Sequence, residues 1–305
     1  MNWPALSYEK GKATYETMQL WTQIMGKIKL AKLPWINHSW HITLLVTPEG
    51  LTTGDIPDGS THFRIDLDLL QHKLRISTNT GQERSFELHN TSVATFYRKV
   101  MSILEELKIS VHIRTTPNEL VDPIPFDQDE QHATYDAELA SDLHCALLNA
   151  NALFTQFRSD FIGKCSPVHF FWGSFDLAVS RFSGRKAPTH PGGVPNLPDR
   201  VAREAYSHEV SSCGFWPGNE MLPEAAFYSY IYPAPEGYAD AVVRPKEAYF
   251  HQTLGEYILP YEAVRKATDP SAAVLAFINS TYDAAARLAD WDRSALEKGE
   301  LAFPG

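Results

Sequence analysis

Residues 163–216 hold the side chains best suited to chemistry. Gly163-Lys164-Cys165-Ser166-Pro167-Val168-His169-Phe170-Phe171-Trp172-Gly173-Ser174-Phe175-Asp176 sets large aromatics among polar groups. Arg181, Arg185, His190, His208, Glu209 and Trp216 follow within forty residues, around the Pro/Gly-rich stretch Pro188–Gly193. Aromatic walls exclude water, and the low dielectric behind them strengthens every remaining charge interaction. Trp172 and Trp216 are the expected walls of such a pocket. The planar guanidinium of Arg181 or Arg185 suits a carboxylate or phosphate, which makes a small anionic molecule the expected ligand. His169 and His208 titrate near neutrality and suit proton transfer, with Glu209 or Asp176 placed to orient an imidazole. The competing reading is that Phe170, Phe171 and Trp172 are core, the histidines hydrogen-bonded structural residues, and the arginines surface ion pairs.

Other chemistries lack their spacing. His38-x-x-His41 splits its rings to opposite faces if extended, and His208-Glu209 is not followed by a second histidine one helical turn on. No metal site is therefore expected. Neither a G-x-G-x-x-G fingerprint, a phosphate loop nor a G-x-S-x-G elbow occurs. Cys145, Cys165 and Cys213 are odd in number and far apart, which fits reduced thiols better than a disulfide framework. Cys165 as a nucleophile would need Lys164 or His169 beside it.

The elements that must position these groups follow from periodicity. Apolar residues from Met18 to Leu30 mark a helix over 14–32, ended by Pro34. Phe63, Ile65, Leu67 and Leu69 alternate with polar residues, as do Leu74/Ile76 and Phe86/Leu88, which predicts an antiparallel meander. Asn90, Thr91 or Ser92 caps the clearest amphipathic helix, with Val93, Phe96, Tyr97, Val100, Leu104 and Leu107 on one stripe. Ile109, Val111 and Ile113 predict a further strand. Helices are expected over 135–157 and 271–291, with extended runs over 40–46, 168–175, 227–232 and 257–259.

The expected fold is α+β, in two related lobes, each an antiparallel sheet flanked by long helices. An N-terminal lobe spans 1–116, an acidic Pro-rich linker 117–131, and a C-terminal lobe with the candidate site 132–305. Leu20-Trp21-Thr22-Gln23 and Leu153-Phe154-Thr155-Gln156, each followed by a Gly-Lys pair and then by a neighbouring His and Trp, suggest an internal duplication.

The chain has 305 residues, 44% hydrophobic and 21% charged, with a net charge of −10, which is a globular composition. The acid excess lies in residues 117–305. Phosphate affinity comes from Lys and Arg, so nucleic acid is not an expected partner. No apolar run is long enough to span a bilayer and the start lacks a basic leader, so a cytoplasmic protein without a membrane partner is expected. The function these features favour is a small-molecule enzyme or ligand-binding protein with its pocket in the C-terminal lobe. The alternative is an interaction module that forms a homo-oligomer through the edge of the meander.

Several strings together resemble a bacterial domain-of-unknown-function family, DUF5996. They are Trp3-Pro4-Ala5-Leu6, Leu20-Trp21-Thr22-Gln23, Gly50-Leu51-Thr52-Thr53, Asp122-Pro123-Ile124-Pro125-Phe126, Gly163 through Gly184, Glu204-Ala205-Tyr206-Ser207-His208-Glu209, Gly214-Phe215-Trp216-Pro217-Gly218 and Ile258-Leu259-Pro260-Tyr261. The resemblance covers nearly the whole chain and implies no activity, cofactor or site residue.

Overall fold

A computed structural model describes residues 2–299. They form an α+β fold with two antiparallel sheets of six strands and, among the described residues, seven α-helices. In chain order these are α1 (Tyr8–Lys32), β1 (Leu45–Val46), β2 (Gly50–Thr52), β3 (Ile56–Asp58), β4 (Thr61–Asp68), β5 (Lys73–Thr78), β6 (Glu83–Glu87), α2 (Val93–Glu106) and α3 (Ala137–Ser159). There follow β7 (His169–Phe171), β8 (Asp176–Lys186), α4 (Asp199–Ala205), β9 (His208–Trp216), β10 (Ala226–Tyr232), β11 (Tyr249–His251), β12 (Glu256–Pro260), α5 (Tyr261–Lys266), α6 (Pro270–Leu288) and α7 (Arg293–Leu296).

The first sheet runs β1-β2-β4-β5-β6 with β3 also on β4, and the second runs β11-β12-β10-β9-β8-β7. They meet where Leu44 and Phe170 exchange two backbone hydrogen bonds, of 2.9 and 2.8 Å. One hydrophobic core passes through both halves, from Trp21 and Phe96 to Phe154, Phe227 and Phe277.

The amphipathic stripe places α2 as expected, and Ser92 is its cap, accepting from Thr95 N. Trp21 of α1 stacks on Phe96 of α2 at 4.7 Å between ring centres. Residues 109–113 bury Ile109 and Ile113 but form no strand. The expected extended run over 40–46 shrinks to β1. It is preceded by a 3₁₀ turn in which His38 and Ser39 both take left-handed backbone, at φ 60° and 58°. Residues 117–131 have no regular element, yet Phe126 is buried and the Asp129 and His132 carbonyls accept from the first amides of α2. β8 and β9 flank the Pro/Gly-rich stretch Pro188–Gly193, which has no regular element.

The strings that suggested a duplication lie in α1 and α3, and their downstream residues touch. Trp172 packs on Gly26, where a Cβ would stand 1.9 Å from its Nε1, and that Nε1 donates to Ile42 O at 2.8 Å. Gly26→Ala therefore forces the indole out of this contact. The expected cost is about 1–3 kcal/mol, the usual range for overpacking, read by chemical denaturation; an unchanged midpoint would show that the helix and indole separate freely.

Candidate functional site

The second sheet has two unlike faces. One packs against α3 and α6 through Leu177, Val179, Cys213, Phe215, Phe227 and Leu259. The other carries Asp176 and Ser180 of β8, Ser212 and Trp216 of β9, Tyr228 and Tyr230 of β10, and Glu256 of β12, because side chains alternate along each strand. Across that face lie Glu119 and Tyr206, brought by the loop before α3 and by the end of α4.

Asp176 sits on the floor, 7% exposed, and accepts hydrogen bonds from Ser174 Oγ and Tyr228 Oη. The Tyr206 and Tyr230 hydroxyls are 2.9 Å apart, and His190 stacks on Tyr206 at 4.6 Å. Glu119, Tyr206, Tyr230 and Glu256 are half-buried on or across this face. Burial, and then the charge of Asp176, push Glu119 and Glu256 up to about 7. Burial also raises Asp176, against the pull of its two hydroxyl donors. Burial raises the phenols Tyr206, Tyr228 and Tyr230 too, so they stay protonated donors.

The carboxyl of Glu119 is held by unusual backbone. Its φ is 61°, strained for a residue with a Cβ, and its N–H donates to Pro195 O at 2.9 Å. Its carboxyl lies so close to Gly173 that a Cβ there would be 1.9 Å from Oε1. Both neighbours hang on α1. Gln19 donates to Gly173 O at 2.6 Å, and Gln23 both donates to Asn118 O at 3.0 Å and accepts from Asn118 N at 2.8 Å.

Of the residues singled out from sequence, Asp176 and Trp216 belong to this face, and His208 stands at its far end, at the start of β9. The others lie elsewhere. Arg181 points to the helix side, 2% exposed, with its guanidinium 3.4 Å from the Phe157 ring centre and 4.3 Å from that of Tyr282. It donates to Phe157 O in the last turn of α3. Arg185 pairs with Glu209 at 2.8 Å and donates to Ala289 O and Asp290 O at the end of α6. Each arginine thus supplies positive charge and donors to a helix C-terminus, where carbonyls lack partners. His169 is buried against Thr43 Oγ1 at 3.0 Å, and burial drives it down to about 3, so its imidazole stays neutral. His208 Nδ1 lies 3.0 Å from Ser207 Oγ. Trp172 serves the α1 contact described above.

Residues 3–298 match the model of DUF5996, a family of unknown function. The chain belongs to that family. Neither a curated protein nor a solved structure matches it. No helix among the described residues is long and apolar enough to cross a membrane.

Two concavities lie away from this face. A 320 Å³ hollow between β2 and β4 holds Arg64 and Arg75, which pair with Asp66 and Asp68. A 630 Å³ groove beside α2 is walled by Tyr97, Met101 and Val111. Among the described residues no group of His, Cys, Asp and Glu is arranged to hold a metal ion. Sequence reasoning missed Glu119, Tyr206, Tyr228, Tyr230 and Glu256. The available signal was Tyr228-x-Tyr230-x-Tyr232, three phenols at the strand period.

Glu256 binds its proton more tightly in the fold than the ordinary value of 4.5. Between 4.5 and about 7 the folded state then holds more protons than the unfolded one, so this group's contribution to stability falls as pH rises. Glu256→Gln removes that loss. The variant should gain about 1–2 kcal/mol more at high than at low pH across this window, after allowance for the solvent that reaches this half-buried group. Denaturation midpoints at pH 8 and pH 5 read the difference; an equal effect at both would show that Glu256 is not raised.

Proposed function

We propose that Asp176, Glu119, Glu256, Tyr206 and Tyr230 form an acid recess in which the protein binds a small organic molecule bearing an amine. One observation carries this reading: three acids share a partly closed face, and the influences acting on Glu119 and Glu256 are burial and the charge of Asp176. Buried like charges are unfavourable without a counter-charge, and an ammonium ligand supplies it. Tyrosine faces add attraction for the same cation. The sign differs from the anionic ligand expected from Arg181 and Arg185, because both guanidiniums are engaged by helix carbonyls, rings or Glu209.

Carboxyls that titrate near 7 also suit proton transfer to and from the bound molecule, which is the enzymatic form of the same reading. Oligomerisation through the meander has weaker support: the outer strand β6 lines its edge with Glu83, Arg84 and Glu87, which discourages strand addition.

Putrescine should raise the melting temperature at pH 8 in a saturable way. At a hundredfold excess over Kd this corresponds to about 2.7 kcal/mol. The effect should weaken at pH 6, where Glu119 and Glu256 take up protons that compete with the cation. It should be lost in Asp176→Asn, and sorbitol should have none. An equal shift by sorbitol, or no shift with putrescine, overturns the proposal.

A further inference from the structure

Lys164 and His38 form a second chemical group, apart from the acid recess. Lys164 Nζ lies 2.9 Å from His38 Nε2, and His38 Nδ1 lies 2.9 Å from Ala205 O. A carbonyl oxygen only accepts, so Nδ1 carries the ring hydrogen and Nε2 presents its lone pair to the amine. His38 is 5% exposed, its imidazole held between Trp40 and Phe182, at 5.2 and 4.7 Å between ring centres. The same two rings face the lysine, each centre 5.3 Å from Nζ. Lys164 itself stays open to solvent. His38 reaches this position from left-handed backbone at φ 60°, an uncommon conformation for a residue with a side chain, which tends to persist where surroundings enforce it.

From this geometry we infer that Lys164 is a nucleophilic amine served by His38 as its base, and that it captures small aldehydes or ketones as an imine. His38 Nε2 takes a proton from the ammonium and frees the nitrogen lone pair. The amine nitrogen attacks the carbonyl carbon, and one of the nitrogen's own protons passes to the carbonyl oxygen to give the neutral carbinolamine. The carbinolamine then loses its hydroxyl as water, using the proton held on His38; the carbon–nitrogen double bond forms as a protonated imine and His38 returns to its neutral form. One water leaves for each imine made, and nothing is oxidised or reduced. Burial lowers Lys164 below the ordinary lysine value, opposed by the charge of Glu204. Burial also keeps His38 below the ordinary histidine value, with Lys164 and His208 acting in the same direction and Glu204 and the Ala205 carbonyl against it. The amine and its base are thus both biased toward the neutral forms the step requires.

Propionaldehyde with cyanoborohydride, which reduces the imine to a stable alkylamine, provides the test. The initial rate of alkylation at each lysine is read by peptide mass spectrometry on the intact folded chain. Lys164 should be labelled at least about tenfold faster than exposed Lys108 and Lys246, the scale of a modest general-base contribution. His38→Asn keeps a residue that tolerates left-handed backbone and removes the base; in it Lys164 should fall to the rate of the other two. Lys164 labelled no faster than Lys108 and Lys246 in the unaltered protein overturns the inference, whether or not the variant folds. So does a folded His38→Asn protein that is labelled as fast as the original.

Discussion

Helix α1 is buried along most of its length on nearly every side, and the rest of the molecule is arranged around that fact. A helix in that position must bury polar side chains as well as apolar ones, and each buried donor needs an acceptor. Gln19, Gln23, Lys27 and Lys29 find theirs in backbone carbonyls of other segments: Gly173, Asn118, Arg114 with Thr116, and Thr43. Burial lowers Lys27 and Lys29 to about 8, so each donates at neutral pH without a carboxylate beside it. These bonds fix irregular chain, and two of them fix the stretches that bring Gly173 and Glu119 together. The acid recess depends on a helix that contributes none of its acids.

Charge is sorted across β8 by the same economy of partners. Asp176 begins the strand on the open face, and Arg181 lies five residues later on the helix face, so the period of two sends them to opposite sides. The cation meets helix carbonyls and ring faces; the acid meets hydroxyl donors and two further acids. Neither neutralises the other through the sheet. A ligand that neutralises the acids must therefore come from the open side, which is the physical ground for assigning it a positive charge.

Elements whose burial follows one face were legible in the sequence. α2 shows its stripe, β4 and β5 show their alternation, and Ser92 is among the caps the residues suggested. α1 shows a weaker period because glutamines and lysines occupy buried positions. β8 is hidden by Arg181, a charge on the core face, and by Phe182, an aromatic on the other. Alternation over Ile109–Ile113 reports real burial but not pairing, since neighbouring packing rather than a ladder covers those residues. Asp176 was within reach because it ends an aromatic run. Glu119 was not: it lies in a stretch rich in proline and acid that reads as linker, and its importance comes from a left-handed turn and a glycine more than fifty residues away.

Residues 205 and 206 join the two chemical groups physically. The carbonyl of Ala205 fixes the tautomer of His38, and the next side chain, Tyr206, meets Tyr230 in the recess. Both belong to the end of α4, a seven-residue helix whose remaining support includes the Trp35–Glu204 bond at 2.6 Å and the contact of its Arg200 with the same indole. So short a helix has little stability of its own and takes its place from such contacts. The position of α4 is therefore shared between the two sites: any shift that seats Tyr206 differently also moves the carbonyl that aims His38 at Lys164.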